Sequence, residues 1–138
     1  MRSNARIQGS RREGAAAVEF ALVGPVFFLL LAGIIVYGAW FWMAHSVQSA
    51  VSEGARAAIA GLDAAEREQL AREVVETQLK DLGLKAADAV VGVQAEPGRL
   101  RVEVAYDVGG HPLMALSPLT VPPPRTIRRT AVIRVEEG

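Results

Sequence analysis

Between Phe20 and Ala44 the chain reads FALVGPVFFLLLAGIIVYGAWFWMA, 25 residues without a charged side chain. A helix of that length covers about 37 Å, against roughly 30 Å of bilayer hydrocarbon. A 138-residue chain is too small to bury such a rod on every side, so the run reads as a membrane span with some tilt. A cleaved secretory signal peptide is the bland competitor. Its apolar region is about 7–15 residues long and a small-residue cleavage site follows promptly. This run is much longer, contains Pro25, and leads into more helix-compatible sequence.

Charge sets the expected orientation. Lys+Arg and Asp+Glu balance at 15 each, but unevenly along the chain. Residues 1–14 carry Arg2, Arg6, Arg11 and Arg12 against Glu13, a net +3, leaving −3 for the rest. Basic residues before a span place the N-terminus in the cytoplasm, and Tyr37, Trp40, Phe41 and Trp42 suit an aromatic belt at the opposite interface. Overall neutrality speaks against a nucleic-acid binder. The absence of cysteine excludes disulfides, zinc–thiolate sites, iron–sulfur clusters and cysteine nucleophiles. Hydrophobic residues make up 51% and the mean hydropathy is +0.23, high for a soluble domain.

Glu19 is the anomaly, a carboxylate at the head of the apolar run. Its cost inside hydrocarbon is a few kcal/mol unless it reaches the interface or finds a partner. A snorkelling edge residue is the simple account. Gly14, five residues earlier and directly after Arg11-Arg12-Glu13, suggests another. A cut after Gly14 would create an α-amino group on Ala15 with a pKa near 8, a counter-charge for Glu19 on a neighbouring copy.

Gly14-Ala15-Ala16-Ala17-Val18-Glu19-Phe20 resembles a type IV prepilin processing site. The wider stretch from Arg11 through Val23 and Pro25, with Ser52-Glu53-Gly54-Ala55-Arg56-Ala57-Ala58 behind it, is similar to the TadE-like (TadE/TadG) pseudopilins of the tight-adherence (Tad/Flp) pilus system. The second segment carries the family's "EGAR" pattern on Glu53, Gly54 and Arg56. The resemblance implies a pilus assembly subunit rather than an enzyme, with no cofactor. It implies cleavage by an aspartic prepilin peptidase between Gly14 and Ala15, with Arg11 and Arg12 holding the leader in the cytoplasm. It gives Glu19, beside Phe20, the role of aligning subunits. The implied partners are the bacterial inner membrane, the peptidase, other pilins or pseudopilins and the Tad secretion machinery. Two features depart from the family pattern: many relatives carry a cysteine pair in the outer domain, and Pro25 lies only eleven residues into the mature chain.

The remainder reads as a small α+β domain. The expected organisation is a leader at 1–14, a transmembrane helix at 15–44, and a periplasmic domain at 45–138. His45–Gly61 stays helical, with Val47, Val51, Ala55, Ala58 and Ile59 on one stripe. Gly54 costs up to about 1 kcal/mol in a helix interior, so it is either merely tolerated or required by a close backbone contact. Asp63-Ala64-Ala65-Glu66 opens a second amphipathic helix with a Leu70, Val74, Val75, Leu79, Leu82 stripe, and Gly83 is placed to stop it. The period then changes to two. Val91, Val93 and Ala95, a Pro97-Gly98 turn, and Leu100, Val102, Val104, Tyr106 and Val108 predict a hairpin. Ile127, Ala131, Ile133 and Val135 in Thr126–Glu136 predict a third antiparallel strand, with the second helix as cover for the sheet's apolar face.

The connection at 109–125 is long, holds five prolines, and exposes Leu113, Met114, Leu116, Leu119 and Val121. It reads either as a loop tucked against the sheet or as a contact surface for the membrane or, in preference, a partner subunit. Asp107 with His111 is the nucleus of a metal or triad arrangement but lacks a third group. Arg125, Arg128 and Arg129 read as a charged strand edge. The competing functional class is a signal-anchored envelope protein whose outer domain binds a ligand or catalyses hydrolysis.

Overall fold

A computed structural model describes residues 5–135; Arg2 at one end and Glu136 at the other lie outside them. The fold is α+β. It comprises α1 (Ala5–Ala58), α2 (Ala64–Asp81), and strands β1 (Ala89–Glu96), β2 (Arg99–Asp107) and β3 (Thr126–Arg134). One antiparallel sheet in the order β1-β2-β3 lies against the two helices.

The expected span and the amphipathic segment after it form one helix of 54 residues, about 80 Å long. Nothing interrupts it at residue 44, and it remains helical through Pro25. Proline removes one N–H and crowds the preceding turn, which predicts a kink near Ala21–Pro25, yet the helix is not broken there.

Its two halves live differently. From Val18 to Leu30 the large apolar side chains are exposed, Phe20 at 74% and Phe28 at 67% among them. From Ala32 onward a stripe at three- and four-residue steps is buried: Ala32, Val36, Ala39, Met43, Val47, Ala50. Val51, Ala55 and Ala58 extend it, whereas Ile59 falls one residue past the helix end and is exposed. The sheet's principal cover is therefore this half of α1, which meets β2 and β3, while α2 packs along α1 and reaches the sheet chiefly at β1. From the sequence, α2 alone is the expected cover. The reason for the difference is supply: α2 buries only Ala71, Val75 and Leu79, too little to roof three strands, and α1 brings more than three times as many buried apolar positions.

The local stops follow the sequence. The Asp63 carboxylate accepts from Glu66 N at 2.8 Å, and Glu66 in turn accepts from Leu62 N at 2.7 Å, a reciprocal cap displaced by one residue from the usual box. At the other end Gly83 has φ +75°, Leu84 N donates to Leu79 O at 2.8 Å and Gly83 N to Lys80 O at 2.9 Å, which together make a Schellman stop. Gly98 at φ +68° closes the hairpin behind Pro97 as expected. All five predicted inward residues of β2 and its exit, Leu100 to Val108, are buried, as is Ile127; Val93 is half-buried and Ala95 exposed near the turn.

Candidate functional site

Two regions of α1 carry the residues singled out from the sequence. The first is its projecting N-terminal part. Arg12, Gly14, Ala15, Glu19 and Phe20 all lie on the helix and are exposed; for Arg11 the backbone is helical. Ala15 and Glu19, four residues apart, share one face with a rise of about 6 Å between them. Glu19 lies with Ala16, Phe20 and Val23 around a shallow, largely apolar recess. A Cβ added at Gly14 would meet nothing within 4 Å. The chain's own packing therefore gives no reason for glycine there, although glycine weakens a helix by up to about 1 kcal/mol.

The second region is the Glu53-Gly54-Ala55-Arg56 segment, and here the glycine has a steric reason. A Cβ on Gly54 would stand 2.6 Å from Val75 Cγ2 and 3.0 Å from the Ala71 carbonyl oxygen. Here α1 and α2 approach closely, with Ala55, Ala58, Ala71 and Val75 buried around the contact. Glu53 and Arg56 face outward and form an i,i+3 ion pair at 3.5 Å, both well exposed. Such a pair contributes well under 1 kcal/mol. Of the three pattern residues, the glycine carries the structural consequence.

A further contact has no local sequence signal. The 109–125 connection does not stand away from the scaffold. Pro112–Leu119 forms a 3₁₀ helix with Met114 buried, and the whole segment lies along α1. Tyr37 Oη donates to Val121 O at 2.9 Å and Trp40 Nε1 to Pro124 O at 2.8 Å. Two members of the expected aromatic belt thus use their polar tips to hold the connection. Asp107 and Arg125 close its base: Asp107 Oδ1 accepts from Gly109 N at 2.7 Å and from Arg125 Nε at 3.2 Å. The Gly109 N–H, then the Arg125 guanidinium, hold the Asp107 carboxyl below its ordinary value of 3.8. That contribution to stability is complete above pH 3.8 and is lost as pH falls through the lower folded-state value. The difference in thermal unfolding temperature between the chain and its Asp107→Asn variant should shrink as the pH falls below 3.8. A pH-independent difference would refute the assignment.

The other candidates are not brought together. Asp107 is taken up by Arg125, while His111 Nδ1 accepts from Leu113 N at 3.3 Å. Arg125, Arg128 and Arg129 do not form a cluster either. Arg128 pairs with Glu103 at 3.6 Å on the open face, whereas Arg129, its neighbour in a strand, points to the other side. Among the described residues no group of three or more His, Asp or Glu side chains is placed to hold a metal ion.

The geometry defines a class: an α+β domain built on the C-terminal half of a single long helix, whose apolar N-terminal half is a candidate membrane span. The profile of the TadE-like protein family matches residues 14–56, about a third of the chain. The match runs from the helix glycine ahead of Glu19 to the arginine that ends the α1–α2 crossing pattern, so over this stretch the chain is similar to that family. No curated protein and no solved structure matches it.

Proposed function

We propose that this chain is a minor pseudopilin, or assembly subunit, of a Tad-type pilus, and not an enzyme. Its N-terminus faces the cytoplasm and its α+β domain the periplasm of a bacterial inner membrane. Prepilin peptidase removes residues 1–14, and the Ala15–Leu31 stretch then packs against like helices of other pilins or pseudopilins. The observation that carries this reading is the division of α1. A rigid helix keyed into a domain at one end and bare at the other gives each subunit a rod with which to join its neighbours. Glu19 stands exposed on that bare end, and the family match begins at Gly14.

The chemistry is consistent at each step. Gly14 presents no side chain at the scissile bond, and its weak helix propensity makes local unwinding for the peptidase easier. Cleavage leaves a protonated amine on Ala15 at neutral pH. Glu19 of an adjacent subunit offers the matching charge, and in low dielectric that pair fixes the axial offset between rods.

Mass spectrometry of the chain purified from membranes tests this directly. The expected species begins at Ala15. A chain retaining Met1–Gly14 in a peptidase-bearing host, or one cut beyond Ala44, would sink the proposal and favour the signal-anchored envelope protein.

A further inference from the structure

The connection at 109–125 carries an inference that rests on α1 crossing a bilayer and goes beyond assembly. Its position along α1 is fixed by three contacts. Trp40 binds the carbonyl of Pro124, Tyr37 that of Val121, and Thr120 Cγ2 lies 3.9 Å from the place of a Cβ on Gly33. The segment therefore descends the helix towards its bare end, with Thr120 at the level of Gly33. Gly33 is fourteen residues from Glu19, a rise of about 21 Å, and Trp40 about 32 Å. Hydrocarbon is about 30 Å thick. With Glu19 at the near boundary, the far boundary falls beside Trp40; Thr120 lies about 9 Å inside it, and the Val121 carbonyl, held by Tyr37, nearer to it. Keeping Thr120 in water would leave only about 20 Å between Glu19 and Ala32 for the whole hydrocarbon layer.

The segment's composition suits that depth. It has no charged side chain between Asp107 and Arg125, and those two pair at its base. Irregular backbone does not face lipid in the hydrocarbon core; at membrane depth it needs cover from protein or contact with water, which the side of α1 and the outer interface supply here. Pro112, Pro118, Pro122, Pro123 and Pro124 have no N–H to satisfy. Thr120 N and Oγ1 both donate to Ser117 O, and Met114 N donates to His111 O. Leu119 and Val121 are nevertheless 55% and 78% exposed. In water that is a poor use of two large apolar side chains; Ile34 and Phe41, on the adjoining stretch of α1, are exposed as well.

We propose that the 112–124 connection is a membrane-seated foot: it presses the exposed Leu119 and Val121 side chains into the headgroup–acyl boundary of the outer leaflet, beside α1, and sets the depth and tilt at which the domain stands. Interfacial amphipathic helices sit about 5–10 Å into that boundary, comparable with the level of Thr120 when Glu19 marks the near side.

The chain has no cysteine, so single nitroxide labels can be placed at Leu119→Cys, Val121→Cys, Leu29→Cys and Val90→Cys. The full chain is reconstituted in phosphatidylethanolamine–phosphatidylglycerol vesicles, and collision with oxygen is compared with a water-soluble nickel complex. The labels at 119 and 121 are expected to favour oxygen severalfold, as the label at 29 does, and the label at 90 on the open sheet face to favour nickel. Labels at 119 and 121 that behave like the one at 90, while that at 29 stays in lipid, would overturn the foot alone. Low collision with both reagents at 119 and 121 would reveal a protein neighbour and overturn it too. A nickel-accessible label at 29 would overturn the span together with the foot.

Discussion

Gly54→Leu should prevent α1 and α2 from closing on each other, and even Gly54→Ala should lower stability by about 1–3 kcal/mol. The alanine variant separates two opposed effects. Helix propensity alone would favour alanine by about 1 kcal/mol. Against it stands a Cβ at 2.6 Å from Val75 Cγ2 and 3.0 Å from the Ala71 backbone oxygen. The valine methyl can turn aside, but Ala71 O belongs to the ladder of α2 and cannot retreat without moving the helix. The close approach therefore wins, and overpacking there forces the helices apart over Ala55, Ala58 and Ala71, all nearly or wholly buried. Thermal unfolding of the detergent-solubilised chain, read by circular dichroism, checks the sign. An alanine variant more stable than the parent would mean that the crossing is looser than described. Val75→Ala alongside Gly54→Ala should recover part of the loss, because it removes the nearer of the two clashing groups.

That glycine marks the boundary between what was legible and what was not. Its cost in a helix was visible from sequence, but both accounts of it, tolerance and close contact, fit the same residues. Only the position of α2 decides. The β2 stripe from Leu100 to Val108, the Pro97-Gly98 turn and the Gly83 stop were readable because each follows from local geometry: a period of two, a fixed φ, a positive φ. The roof over the sheet was not. The run from Ala32 to Ala44 is apolar on all sides, so periodicity could not show that one stripe of it, through Val36, Ala39 and Met43, is buried by the domain. The docking of the 109–125 connection was hidden for a similar reason. Tyr37 and Val121 are 84 positions apart, and their bond runs from a side chain to a backbone carbonyl that any residue could supply. Of the candidate site, Gly14, Ala15 and Glu19 stood out by spacing. Their common exposure and the open space around Gly14 come from the fold.

Glu19→Gln should leave insertion and processing intact while abolishing stable joining of subunits. The amide keeps the shape of the side chain and removes its charge, and an uncharged residue enters hydrocarbon more easily than a carboxylate. A defect in assembly therefore could not be blamed on insertion. The α-amine uncovered on Ala15 would remain, now without its counter-charge, and losing one partner of a desolvated ion pair costs about 3–5 kcal/mol. The lower figure alone is more than a hundredfold in an association constant. Glu19→Asp should be less severe, because it keeps the charge on a side chain one methylene shorter. Subunits recovered in sheared surface fibres, or crosslinked to other pilins in membranes, measure the outcome, with the N-terminus checked on the same samples. Normal incorporation of a correctly cleaved Glu19→Gln chain would refute the alignment role. It would leave Glu19 as an interfacial carboxylate that happens to stand where the rod begins, and the axial register would then have to come from apolar contacts of Phe20 and its neighbours, which shape alone would have to specify.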